Sequence, residues 1–165
     1  LVAAAQANVP GTLGGAPVAL DRAAWLISRY EQSDRLWAID SELFDAGDST
    51  ALPGRLRWGP HAVGKLALMV TQPGGLCAYD QRGSLAWQTE IKNEVPVGTP
   101  VVDGERIILA TTAGKVCSIE PATSEPGQLA DVEQPLSDGL TEMSCKLVLR
   151  ALDGSVLIFN PGDAP

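Results

Sequence analysis

Apolar residues along the chain gather in short runs bounded by Gly, Pro and Asp, and no segment sustains the 3.6-residue period of an amphipathic helix. One run recurs in fixed register: Leu36-Trp37-Ala38-Ile39-Asp40, Leu76-Cys77-Ala78-Tyr79-Asp80, Val116-Cys117-Ser118-Ile119-Glu120 and Val156-Leu157-Ile158-Phe159-Asn160, each step being 40 residues (76−36, 116−76, 156−116). Side chains alternate along a strand. Leu36, Leu76, Val116 and Val156, with Ala38, Ala78, Ser118 and Ile158, therefore share one face, and Trp37, Cys77, Cys117 and Leu157, with Ile39, Tyr79, Ile119 and Phe159, the other. Both faces are apolar, which predicts a sheet sandwiched between two others.

Before each of these strands the pattern predicts a tight turn, at Asp34, Gly74, Gly114 and Gly154. Asp is expected to adopt at position 34 the left-handed conformation that Gly supplies elsewhere. The Asp153-Gly154 pair between apolar runs is a strong hairpin signal. A further strand, Gly-x-Leu-x-Trp, follows at Gly83–Trp87 and Gly54–Trp58, and Gly127–Asp131 repeats it without the Trp. Ser41–Pro53 reads as a loop, so that Trp58 would close the first unit.

The chain thus divides into repeat units at about 16–58, 59–91, 98–131 and 137–160 of a single segment spanning 1–165, with 1–15, extended at Leu1–Ala7, reading as the outer strand of a preceding unit. The fourth unit reaches the end of the sequence where its own outer strand is due. Radial stacking of four-stranded antiparallel sheets buries strands on both faces, and a period of about 40 residues fits it. The predicted fold class is all-β, a β-propeller with about four blades present.

Charge and composition narrow the partners. Twelve Lys and Arg stand against twenty Asp and Glu, a net charge of −8, and no basic run appears. Clustered cations, which nucleic acid and anionic membranes require, are missing, so neither is an expected partner. No apolar run approaches the ~18 residues of a membrane-spanning helix, and the opening Leu1-Val2-Ala3-Ala4-Ala5 has no Met and no basic region like that of a secretory leader. Three cysteines without a C-x-x-C pair give no disulfide framework.

Candidate chemistry is sparse. Asp40, Asp80, Glu120 and Asn160 recur at one position and could form a ring of carboxylates, but at strand ends such side chains usually bind their own turns. Asp45 and Asp48 flank Gly47 like a fragment of a calcium loop, without its full spacing or closing Glu. His61 is the single histidine, with no nucleophile context beside it. Cys77 and Cys117 share a repeat position and read as small buried hydrophobes. Gly14-Gly15 and Gly74-Gly75 lack the Gly-Lys-Ser/Thr of a phosphate loop. The expected catalytic, cofactor and metal residues are none.

The run Ala78-Tyr79-Asp80-Gln81-Arg82-Gly83-Ser84-Leu85-Ala86-Trp87 resembles the blade motif of the quinoprotein-like (PQQ-repeat) propellers, and Pro100-Val101-Val102-Asp103-Gly104 resembles the start of their blades. The resemblance implies that the Trp docks on a neighbouring blade while the Asp braces the turn, roles that would fall to Trp87 with Asp80 and to Trp58 with Asp40. It also implies a closed ring of seven or eight blades. This chain would then be part of a larger propeller, with apolar sheet faces exposed at both ends and covered by a protein partner, by remaining blades or by a second copy; a strand from residues 1–7 completing a small closed ring is the rival. The function implied is a non-catalytic binding scaffold, periplasmic or otherwise extracytoplasmic, without cofactor. The alternative is a fragment of a PQQ- and calcium-dependent alcohol or sugar dehydrogenase, whose vicinal Cys-Cys pair is missing here.

Overall fold

The computed structural model describes residues 6, 8–40, 42, 46–91 and 94–160. Every regular element among them is a β-strand, and the strands form four antiparallel sheets. Two compact units divide the chain, Leu1–Gln88 and Thr89–Pro165.

In the first unit, β1 (Thr12–Leu13), β2 (Val18–Leu20), β3 (Ala23–Arg29), β4 (Asp34–Asp40) and β5 (Ala46–Ala51) make the first sheet. β1 and β2 both pair with β3, at Thr12↔Arg29 and Val18↔Trp25, and are two halves of one edge. β6 (Arg55–Val63), β7 (Leu66–Gln72), β8 (Gly75–Tyr79) and β9 (Leu85–Thr89) follow in order as the second sheet. The pairs Trp25↔Ala38 and Ile27↔Leu36 set one face of the first sheet, and Ala67↔Tyr79 and Met69↔Cys77 one face of the second. These two faces share one core, completed by Leu20, Leu52 and Leu56. Burying each large side chain there is worth about 1.5–3 kcal/mol.

The second unit repeats the arrangement. β10 (Pro96–Asp103), β11 (Arg106–Thr111), β12 (Lys115–Ile119) and β13 (Pro126–Asp131) form the third sheet, and β14 (Thr141–Met143), β15 (Lys146–Arg150) and β16 (Val156–Phe159) the fourth. Ile108, Ala110 and Val116 pack against Leu147 and Leu149, with Leu157 and Phe159 at the margin. β7, β8 and β11 are buried on both faces, whereas β16 leaves Val156 and Ile158 in solvent.

Three expectations are corrected. The stretch expected as a loop, Ser41–Pro53, contains β5, whose residues 46–51 pair with β4. Gly54–Trp58 therefore does not close the first sheet: Trp58 lies on β6, opposite Val70, and belongs to the second. The sequence AGDSTA has no apolar alternation, but an exposed outer strand needs none, and tertiary pairing overrides its weak propensity. The four-stranded blade otherwise holds: β1 and β2 together make one edge of the first sheet, and the fourth sheet, whose outer strand was expected to be missing, has three strands among the described residues.

The third correction concerns Asp34. It opens β4 opposite Arg29 rather than occupying the turn, and it carries no positive φ. Gly74, Gly114 and Gly154 do, at +135°, +96° and +90°. The difference is hairpin length. Ile27 pairs with Leu36 across 9 positions (36−27), whereas Val70↔Leu76, Ala110↔Val116 and Arg150↔Val156 each span 6 (76−70, 116−110, 156−150). The extra residues move the first turn upstream of Asp34, where the Tyr30 N–H donates to the Ser33 carbonyl. The strand expected from Leu1 to Ala7 falls largely outside the described residues, as do Asp45 and anything after Asn160.

Candidate functional site

Two of the repeated carboxylates are occupied locally. Asp80 Oδ1 accepts the N–H groups of Arg82 at 2.8 Å and Ser84 at 3.0 Å, while its own N–H donates to the Ser84 carbonyl. Asp40 Oδ1 accepts the Glu42 N–H at 2.7 Å. At Glu120 the backbone carbonyl takes the part, accepting from Thr123 and Ser124 N–H groups. In the hairpins, Asp153 Oδ1 accepts from Ser155 N–H and hydroxyl, and these bonds hold its pKa below the usual carboxylate value. Asn160 closes the series at the end of β16. Asp131, where the third unit lacks its Trp, accepts the Glu133 N–H at 3.0 Å. Among the described residues no three His, Cys, Asp or Glu side chains gather where they could hold a metal.

Cys77 is buried on β8 and Cys117 half-buried on β12, and desolvation raises both thiols, away from the thiolate that nucleophilic work requires. Cys145 is exposed at the β14–β15 turn. The three lie on separate segments, so a vicinal pair beside a quinone cannot form from them.

Of the expected pair of outer-strand anchors, Trp87 lies on the outer strand of its sheet and Trp58 on β6 at the opposite edge of the same sheet. Trp87 lies on β9, half-buried, with its indole N–H buried and without a partner among the described residues. Trp58 packs its ring against His61, centroids 4.4 Å apart. The largest fully buried side chain is Trp25, on β3, which the repeat does not flag because the other sheets carry no Trp there.

His61 is half-buried on β6 and desolvation lowers its pKa. The neutral ring is favoured in the folded state, so protonation favours unfolding. Stability is therefore complete above the unfolded pKa near 6.5 and declines as pH falls through and below it. A thermal melt at pH 5 is expected a few degrees below one at pH 7.5. His61→Gln is expected to flatten that part of the profile, because no other side-chain type titrates there unperturbed.

The polar contact that sequence reading missed joins the two sheets of the first unit. Asp34, wholly buried, accepts from Arg55 Nη1 at 2.7 Å through Oδ1 and from the Leu56 N–H at 2.8 Å through Oδ2. Arg55 also donates to the Glu31 carbonyl at 2.6 Å. In the second unit, an open cleft of about 490 Å³ is bounded by Gly98, Thr99, Asp138, Val148, Arg150 and Val156. Arg150 Nε stands 3.5 Å from Asp138 Oδ2, both side chains exposed. The lining of the cleft has no buried acid, base or nucleophile.

Successive antiparallel sheets of one hairpin repeat, stacked face to face, define a β-propeller with PQQ-type blades. The family profile described as outer membrane protein assembly factor BamB matches residues 18–160. The chain belongs to that family of PQQ-repeat propellers. Among solved structures, BamB from Moraxella catarrhalis is similar at 17% identity over 95% of this chain, with a TM-score of 0.63. The chain spans 64% of that protein's length. The computationally designed Ika4 protein is similar at 10% identity over 93% of each chain (TM-score 0.62), and the Dos1 propeller at 13% identity over 84% of this chain and 39% of its own (TM-score 0.62). At these identities the likeness is one of fold. No curated protein matches the chain.

Proposed function

We propose that the chain is a non-catalytic protein-binding scaffold of an extracytoplasmic compartment, working without quinone or calcium, and that it binds another protein or further blades of its own repeat. The observation that carries this reading is how the side chains are used. Asp40 and Asp80 brace their own turns, while Leu85, Met143, Leu152, Val156 and Ile158 stand in solvent. Val156 and Ile158 lie side by side on one face of β16, and contiguous exposed apolar groups mark a surface that another molecule covers. Membership of a family described as an outer membrane protein assembly factor supports both the binding role and the compartment, and no helix among the described residues is long and apolar enough to cross a membrane.

Two measurements test it. A photoreactive amino acid at Leu85 or Leu152 in producing cells is expected to give a discrete protein adduct in the extracytoplasmic fraction, and none in the cytoplasm. Incubation with PQQ and calcium is expected to leave the protein without quinone absorbance and without dye-linked oxidation of alcohols or sugars. Dye reduction would establish the dehydrogenase reading instead.

A further inference from the structure

The face that the first sheet of each unit turns toward the second is its leading face, the same register positions define the leading face of every sheet, and the other side is the trailing face. Leu36 and Val116 hold one register position on the leading faces of the first and third sheets, and they are 1% and 4% exposed. Sheets two and four cover them, through the trailing-face residues Met69, Cys77 and Tyr79 in one case and Leu147, Leu149 and Phe159 in the other. The same register position on the fourth sheet is Val156, and it is 59% exposed, with Ile158 at 56%. Register adds Val148 opposite Ile158, so an apolar strip runs across β15 and β16 and meets Thr141, opposite Val148, on β14. Lys146 and Arg150 lie along it on β15, where long stems can pack while their charged heads stay in water.

The trailing face of the first sheet is the counterpart. Leu26 pairs with Trp37 and Ala24 with Ile39, and all four are only half-buried. Their repeat equivalents, Cys77 for Trp37 and Tyr79 for Ile39, are fully buried in the second sheet. The Trp37 indole N–H already donates to Ser28 Oγ at 2.8 Å, so covering this ring would leave no indole donor unsatisfied.

We propose that the leading face of the fourth sheet is the seat for the trailing face of the first sheet of a second copy, so that copies join head to tail by the contact the chain already uses twice internally. This deepens the scaffold reading and rests on it: it names one partner and the surface that partner uses. The cleft along Val148, Arg150 and Val156 is then the open side of the seat. The contact is heterologous, one face of each copy being used at each junction, and such contacts close into rings or continue as filaments.

Light scattering during size-exclusion chromatography tests this. The chain is expected to run at multiples of its 17.3 kDa mass. Ile158→Glu, or Val156→Glu at the neighbouring position, places a charge in the seat, and Leu26→Glu, backed by Ala24→Glu, places one on the opposing face. Each is expected to weaken association by roughly 30-fold or more, the size of one lost hot spot, with the β-sheet circular dichroism unchanged. Ile158→Glu and Leu26→Glu chains mixed in equal amounts are expected to recover a one-to-one pair, because each contributes the face the other lacks. A wild-type chain that stays at single-chain mass at high concentration overturns the proposal, as do folded variants that keep the wild-type mass or a mixture that fails to pair. Those results leave the scaffold reading standing, since it is decided by the crosslinked adduct and the dye assay.

Discussion

Asp34→Gly is expected to destabilise the protein by about 2–4 kcal/mol, although glycine is the residue the other repeats carry at that position. The loss has three sources. The Leu56 N–H, buried and bonded to Asp34 Oδ2, is left without an acceptor, which costs about 1–3 kcal/mol. A glycine within a strand adds roughly 0.5–1 kcal/mol. Arg55, whose side chain is 41% exposed, returns to water and adds little. Arg55→Ala tests the pair from the other side and leaves a wholly buried carboxylate with no cation. Removing one partner of a buried pair typically costs about 3–5 kcal/mol, and water reaching the vacated, partly exposed site reduces that to about 2–4 kcal/mol here. Asp34→Asn keeps one acceptor for Leu56 and is expected to be milder, about 1–2 kcal/mol. Denaturant or thermal melts decide it: at roughly 2–4 °C per kcal/mol for a chain of this size, the Gly variant should melt some 5–15 °C low. A Gly variant as stable as the wild type would mean that position 34 is an ordinary turn residue.

That contrast shows what the sequence discloses and what it hides. The strand beginning at Leu36, Leu76, Val116 and Val156 could be read directly, because interior strands with neighbours on both faces have apolar residues at almost every position. The turns at Gly74, Gly114 and Gly154 were equally visible, since their positive φ restricts the residue type. β5 was obscure for the opposite reason. An outer strand half in solvent takes its place from backbone pairing, so AGDSTA carries no period to recognise, whereas β13 was legible only through the Gly-x-Leu it shares with the other repeats. The Asp34–Arg55 pair was hidden by the longer first hairpin, which shifts β3 against the repeat while leaving β4 in register. One signal could have exposed it: an arginine directly before the next apolar strand, in a unit whose turn glycine is replaced by aspartate.

The candidate surface was legible only as a consequence of the repeat. No residue of the fourth sheet's leading face is unusual by type; Val156 and Ile158 are what a strand buried on both sides would carry. Their exposure is what marks them, and exposure is a property of the folded neighbours. For a propeller scaffold the consequence is general. The residues that bind a further sheet are drawn from the same set that holds the internal sheets together, so apolar sequence alone does not separate core from interface.

Gly139→Ala is expected to lower the stability of the second unit by about 3 kcal/mol or more. A Cβ at position 139 would stand 2.5 Å from Gly98 Cα and 2.5 Å from the Val97 carbonyl oxygen, so the new methyl would meet backbone atoms and no rotamer change could relieve it. Overpacking that side chains can absorb costs about 1–3 kcal/mol, and a rigid backbone overlap belongs at or above the top of that range. The contact joins the irregular middle of β10, where the register shifts between Val97 and Val101, to the segment entering β14. Gly104 supplies the control for its partner Gly98. The two have nearly equal φ, +66° and +63°, but a Cβ at Gly104 meets nothing within 4 Å whereas one at Gly98 overlaps Gly139. Gly104→Ala should therefore report the conformational cost alone, of the order of 1 kcal/mol, and the excess of Gly98→Ala over it isolates the close approach. Hydrogen exchange locates the damage: protection in β15 should fall first, because β14 is tied to the third sheet through this glycine pair. Equal losses for Gly98→Ala and Gly104→Ala would show that the two segments can separate freely, and the fourth sheet would then be held by the Leu147 and Leu149 core alone.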